Sequence, residues 1–155
     1  MKRVLFMMAA TVLAASMGRP VQAQTISLEG YGNWKEASVD LTRTIQRHDR
    51  KTYQDCLPLQ TLAVSLPGAP ESRVVTTHPK CHNGVNMPVW LVSLGEKPRV
   101  LVADKGFNLD VTRPSKSLPD VRVQYGDASY CGIRVWRYDN TKSKYVQKQT
   151  IRCAA

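Results

Sequence analysis

Cys131-Gly132-Ile133-Arg134-Val135-Trp136-Arg137-Tyr138 and Tyr145-Val146-Gln147-Lys148-Gln149-Thr150-Ile151-Arg152-Cys153 alternate in side-chain character, and Asp139-Asn140-Thr141-Lys142-Ser143-Lys144 between them is turn-forming. A period of two is the pattern of a strand with one buried face, so the pair reads as an antiparallel hairpin closing the sheet. If Tyr138 faces Val146, then Val135 faces Gln149, Ile133 faces Ile151 and Cys131 faces Cys153. Directly opposed residues have Cβ atoms roughly 4.5–5.5 Å apart, close to what a disulfide needs. The register therefore predicts a Cys131–Cys153 bridge and leaves Cys56 to pair with Cys81.

Working outward, the segments before this hairpin are also β. Val89–Leu94, Arg99–Ala103, Phe107–Val111 and Val121–Tyr125 are short apolar or β-branched runs separated by Gly95-Glu96-Lys97-Pro98, Asp104-Lys105-Gly106 and a Pro114–Pro119 loop. Consecutive short strands with tight turns make an antiparallel meander. Arg73–Thr77 is a further strand candidate, Leu59–Val64 a strand or a turn of helix, and Leu66–Pro70 a loop. From Trp34 to Leu57 the apolar positions recur at three- and four-residue spacings, which predicts a helix. Asn33 with Glu36 resembles a capping box, Arg47, Arg50 and Lys51 suit the helix end, and Pro58 stops it. The expected fold is α+β: one N-terminal helix on an antiparallel meander of about five or six strands, held by two disulfides.

The start of the chain sets the compartment. Lys2 and Arg3, an apolar run from Val4 to Ala15, then Gly18, Pro20 and Val21-Gln22-Ala23 have the three-part layout of a cleaved signal peptide. The apolar run is too short for a membrane span. Residues 1–23 are thus expected to be removed after Ala23, leaving a single domain over 24–155 in the periplasm or outside the cell. All four cysteines lie in that part, and an even number in an oxidising compartment argues for disulfides. The whole chain carries +10, and the leader takes Lys2, Arg3 and Arg19 with it, so the exported part carries +7. This charge favours an acidic partner. Its scattered placement does not favour a specific nucleic-acid site.

Ser117-Leu118-Pro119-Asp120-Val121-Arg122-Val123, followed by Val135-Trp136-Arg137-Tyr138-Asp139 and Tyr145, is similar to a pattern in many small exported bacterial proteins. There a Pro-Asp-Val/Ile turn opens a strand and an aromatic-bearing hairpin closes the sheet, as in single blades of FG-GAP or VCBS-type repeats. The resemblance covers about residues 89–153 and implies a blade-like β-meander. The calcium-binding Asp-x-Asp-Gly-Asp-Gly run of such repeats is absent, and Asp104–Asp110 does not replace it.

Several chemistries can be weighed from residue types. His78, Cys81 and His82, with Cys56 as a fourth ligand, have zinc-like spacing, but exported thiols oxidise first and no Cys-x-x-Cys is present. No metal or cofactor is expected. His48, His78 and Lys80 supply the types of a ribonuclease-like site, although nothing in their spacing brings them together. Gly-x-Ser-x-Gly is missing. Glu29, Glu36 and Asp40 lie near one another in sequence, but Glu36 and Asp40 are better explained as the acidic start of a helix than as paired glycosidase carboxylates.

Binding is the stronger expectation. In the closing hairpin Ile133 and Val135 share one face, while Arg134, Trp136 and Tyr138 share the other. With Ile133 and Val135 inward, Arg134, Trp136 and Tyr138 are either an exposed interface or covered by the helix. Exposed Trp, Tyr and Arg resemble an interface hot spot. Asn83, Asn86 and Met87, in a loop tethered by Cys81, form a second candidate surface. The function expected is a periplasmic or secreted non-catalytic binding protein, most concretely an inhibitor or immunity-type protein against a cell-wall-degrading enzyme or toxin. The alternatives are a small secreted hydrolase using His48, His78 or His82, and an envelope protein touching anionic glycan or lipid.

Overall fold

The apolar run Met87-Pro88-Val89-Trp90-Leu91-Val92 is buried on both faces, and the layers of the molecule follow from what covers each face. The computed structural model describes residues 24–28, 33–50, 56–66, 68–81, 86–112 and 118–153. Residues 1–23, where a signal peptide was expected, lie outside the described residues, as do Glu29, Lys51, His82 and Asn83. The elements in chain order are β1 (Gln24–Ser27), β2 (Lys35–Glu36), α1 (Val39–His48), β3 (Gln60–Leu66), β4 (Ala69–Thr76), β5 (Met87–Ser93), β6 (Arg99–Gly106), β7 (Asn108–Val111), β8 (Val121–Gly126), β9 (Cys131–Asp139) and β10 (Lys144–Arg152). A single 3-10 turn, Pro79–Cys81, follows β4.

The strands form two antiparallel sheets of five, in the orders β1-β7-β8-β9-β10 and β2-β3-β4-β5-β6. Between them lies the main core. One sheet gives it Ile26, Leu109, Val111, Val121, Val123 and Tyr145, and the other gives Val64, Leu66, Val74, Met87, Val89, Leu91 and Val102. The opposite face of β4 and β5 carries Val75, Trp90 and Val92, and α1 covers it with Leu41 and Ile45. Trp90 is 1% exposed. A strand sandwiched between a second sheet and a helix must be apolar on both sides, which is why the β5 sequence does not alternate.

These findings overturn the expected α+β meander: the described residues are mostly β, with two sheets and one short helix. The helix spans Val39–His48, because Lys35 and Glu36 pair with Thr61 and Gln60 as a short strand. Ala37 N–H then donates to the Leu59 carbonyl at 2.8 Å. The Ser38 hydroxyl caps the Leu41 N–H at 3.3 Å, so the helix starts at Ser38 and not at Asn33. Gln24–Ser27 is an edge strand on β7.

The division into two sheets has a local cause at Gly106, where a turn was expected. The chain runs from β6 through Phe107 into β7 and so changes sheets at a corner. Phe107 N–H donates to the Gln124 carbonyl at 2.9 Å, and Leu28 N–H donates to the Phe107 carbonyl at 2.9 Å. A Cβ on residue 106 would collide with the Gln124 carbonyl and the Val123 side chain. Only glycine lets the two backbones approach this closely. Before the corner, β6 contacts β8 and β10 of the other sheet and reaches β9 through Asp104.

The closing hairpin forms with Val135 opposite Gln149, Ile133 opposite Ile151, and a Cys131–Cys153 disulfide with Cα atoms 5.4 Å apart. Its turn end is shifted: Tyr138 faces Tyr145, not Val146, because a bulge at Lys148 inserts one residue between Gln147 and Gln149. The second expected bridge is not formed. Cys56 and Cys81 are not joined by a disulfide but lie near each other, with the Cys56 thiol donating to the Cys81 carbonyl at 3.7 Å.

Candidate functional site

Register decides what each side chain of β9 faces. Val121 and Val123 point into the core, and they lie directly opposite Trp136 and Arg134. Arg134, Trp136 and Tyr138 therefore project from the inner face of their sheet, and Ile133 and Val135 from the outer face. This reverses the orientation expected from the alternation. The helix does not cover these residues either, since it packs on the other sheet. What lies over them is β6.

Asp104 of β6 is the hub of that contact. Its Oδ2 accepts from the Trp136 indole Nε1 at 2.8 Å and from Arg134 Nε at 2.9 Å, while Oδ1 pairs with Arg134 Nη2 at 2.7 Å. Arg134 Nη2 also donates to the Lys105 carbonyl. The Asp104 side chain is 8% exposed and that of Arg134 is 22% exposed. A carboxylate so enclosed needs several donors, and here it has three from the facing sheet. The guanidinium carbon lies 3.7 Å from the centroid of the Tyr125 ring. The Tyr125 ring in turn rests over Gly132, where a Cβ would stand 2.7 Å from Tyr125 Cζ.

Around this hub the β8–β9 connection is held rigid by its own hydrogen bonds. Asp127 Oδ1 accepts from Ser129 N–H at 2.8 Å, Ser129 Oγ at 2.7 Å and Tyr130 N–H at 3.0 Å. Those bonds hold the Asp127 carboxyl below its usual range, the Ser129 hydroxyl first among them. Gly126 is clamped on both backbone groups by the Asn86 amide, at 2.9 and 3.0 Å. The disulfide fastens Cys131, the cross-strand partner of Gly126, and Gln124 Nε2 donates to both of its sulfurs at 3.0 and 3.4 Å. The loop thus presents Tyr130, 42% exposed, beside Tyr125 with ring centroids 5.9 Å apart. Their hydroxyls are 3.3 Å apart, and this hydrogen bond, ahead of burial, raises the Tyr125 phenol.

The two surfaces expected from sequence meet at this end of the molecule through Asn86, Gly126, Tyr125 and Arg134. Their individual residues take other roles. Met87 is 3% exposed and belongs to the core, and Asn86 spends its amide on Gly126. Trp136 and Tyr138 are partly buried against the core, and Tyr138 packs edge-on to Tyr145 at 5.4 Å. His78 Nδ1 accepts from Lys80 N–H at 3.2 Å, which makes it the cap of the 3-10 turn. His48 is the last residue of α1. Among the described residues no group of three or more His, Cys, Asp or Glu is placed to hold a metal ion. No helix of the described residues is long and apolar enough to cross a membrane.

Tyr125, Tyr130, Asp104 and Asp127 were missed as members of this site. For Asp127 and Tyr130 the signal was present, because Asp-x-Ser between two strands is an Asx turn that fixes its own backbone. A separate groove of about 500 Å³ lies between α1 and Leu57–Pro58, with Val39 and Leu57 exposed at its rim. Comparison of the chain with protein-family models, with curated proteins and with solved structures finds no match.

Proposed function

We propose that this protein is an exported, non-catalytic binding protein, of the inhibitor or immunity type, that engages an acidic cell-wall-degrading enzyme or toxin through the β8–β9 end. The observation that carries the reading is the preorganised loop: Asp127, Asn86 and the Cys131–Cys153 bridge fix the backbone that displays Tyr130 beside Tyr125 and Arg134. A loop ordered before binding loses little entropy when a partner docks. Tyrosine, serine, asparagine and glycine on rigid loops are also what protein-recognition surfaces favour, with arginine at their hot spots. The net positive charge supports an acidic partner. Export is supported by the leader-like residues 1–23 and by the bridged cysteine pair.

The test is capture from an envelope extract with the purified protein as bait. The reading expects one stoichiometric acidic enzyme, inhibited on binding. Recovery of only peptidoglycan or lipid, released at modest salt, would replace it with a surface-coating role.

A further inference from the structure

Tyr125 and Tyr130 stand on either side of the β8–β9 turn and bring their side chains together across it. Their hydroxyls are 3.3 Å apart, their ring centroids 5.9 Å apart and their planes inclined at 56°. Both are reachable from solvent, Tyr130 exposed and Tyr125 half-buried. The backbone between them has little freedom. Asp127 holds the Ser129 and Tyr130 N–H groups, the Asn86 amide clamps Gly126, and the disulfide fastens Cys131. A second close pair, Tyr138 with Tyr145, is arranged differently. Its rings are inclined at 73°, Tyr145 is only 5% exposed, and the Tyr145 hydroxyl is directed to the Pro119 carbonyl.

We propose that Tyr125 and Tyr130 are an intramolecular oxidative cross-linking site, joined as dityrosine at the expense of hydrogen peroxide. Each phenol gives up one electron and one proton, and the two phenoxyl radicals form a carbon–carbon bond between ring positions ortho to their oxygens. Each ortho hydrogen then moves as a proton to its own ring's oxygen, which restores two phenols. The two electrons and two protons released reduce one hydrogen peroxide to two waters. In the product the hydroxyls lie side by side, on the carbons next to the new bond, so a hydroxyl–hydroxyl contact brings the correct ring edges together. Rings joined in this way are twisted about the bond, which suits inclined planes. Two groups held close by a fixed loop react in preference to partners met by diffusion. The exposed Tyr130 side chain closes the remaining distance by rotating about its own bonds. The cross-link makes a covalent ring over residues 125–130 that survives reduction of the Cys131–Cys153 bridge. It goes beyond the binding-protein reading and does not depend on it.

The experiment treats the intact protein, at low concentration, with a haem peroxidase and hydrogen peroxide. Dityrosine fluorescence is followed, and tryptic peptides are weighed after reduction and alkylation. Trypsin leaves both rings in one peptide, residues 123–134. That peptide is expected to lose two hydrogen atoms and to yield no backbone fragments between Tyr125 and Tyr130. Tyr125→Phe and Tyr130→Phe, which keep the rings, should each abolish the emission, whereas Tyr138→Phe leaves it unchanged. No emission from the wild type, emission that persists in Tyr130→Phe, or cross-links found only between separate molecules would overturn the site. No partner takes part in this reaction, so its failure leaves partner capture through the same loop intact as a reading, and loss of capture leaves the cross-link intact.

Discussion

Asp104 on one sheet and Trp136 on the other are joined by a 2.8 Å hydrogen bond from the indole Nε1 to Oδ2. This bond, with the Arg134 pair beside it, ties the two sheets at the end where Tyr125 and Tyr130 are displayed. Replacing Asp104 by alanine leaves an indole N–H and a guanidinium without their acceptor in a largely enclosed place. Asp104→Ala is expected to cost about 2–4 kcal/mol, read from chemical denaturation. Trp136→Phe, which removes the indole N–H and part of the ring but keeps the Arg134 pair, should cost about 1–3 kcal/mol. Equal stability of wild type and Asp104→Ala would contradict the tie.

The two close-approach glycines should respond differently to alanine. At Gly106 the new Cβ meets backbone, which cannot move without opening the sheet corner, and the loss should be about 2–3 kcal/mol. At Gly132 it meets the far end of the Tyr125 side chain, which can swing aside. Gly132→Ala should therefore fold with a loss of under about 1 kcal/mol, with altered tyrosine near-UV circular dichroism as Tyr125 leaves Arg134.

Alkylation without reductant should spare Cys131 and Cys153. Peptide mapping by mass spectrometry reads this directly. Four labelled cysteines would remove the fastening of the β9–β10 pair. That fastening is worth about 2–4 kcal/mol by the usual loop-closure argument.

Titration should act on two regions with opposite sign. Tyr145, buried and donating to the Pro119 carbonyl at 2.7 Å, has its phenol raised above the ordinary value near 10, mainly by burial. The folded state therefore holds this proton more tightly than the unfolded chain. Its contribution is complete below pH 10 and declines as pH rises above it. Tyr145→Phe should remove that alkaline decline and cost about 1 kcal/mol at neutral pH. Asp127 is lowered, so its hold on the loop is present above the usual carboxylate range and is lost as pH falls through the folded value. The amide signals of Ser129 and Tyr130 should report that transition in acid, below the range of free aspartate.

The legible part of this fold was its pairwise, local part. Alternation in 131–138 and 145–153 gave the hairpin, and register arithmetic gave the Cys131–Cys153 bridge. The bulge at Lys148 was invisible because one inserted residue leaves the alternation intact on either side. The second sheet was hidden for a different reason. Asp104-Lys105-Gly106 has the composition of a hairpin turn, and only the packing of Gly106 on the Gln124 carbonyl makes it a corner between sheets. Once the chain has two sheets, the face of β9 that meets the core is set by what lies opposite, and Val121 and Val123 place Trp136 inward. The helix was overextended because Trp34 to Ala37 matches a helical period but is claimed by pairing to β3. Arg134 and Asn86 were named from residue type, whereas Asp104, which holds Arg134 and Trp136, had no local pattern to mark it.

The most direct test of the central claim compares partner capture by four forms of the protein: wild type, Tyr130→Ala, Val39→Ser in the distant groove, and His48→Ala/His78→Ala. The account predicts that one acidic enzyme is retained by wild type, Val39→Ser and the histidine double variant, and is lost, about tenfold or more in affinity, by Tyr130→Ala. Undiminished capture by Tyr130→Ala, or hydrolytic activity of the protein itself that disappears with the two histidines, would contradict it.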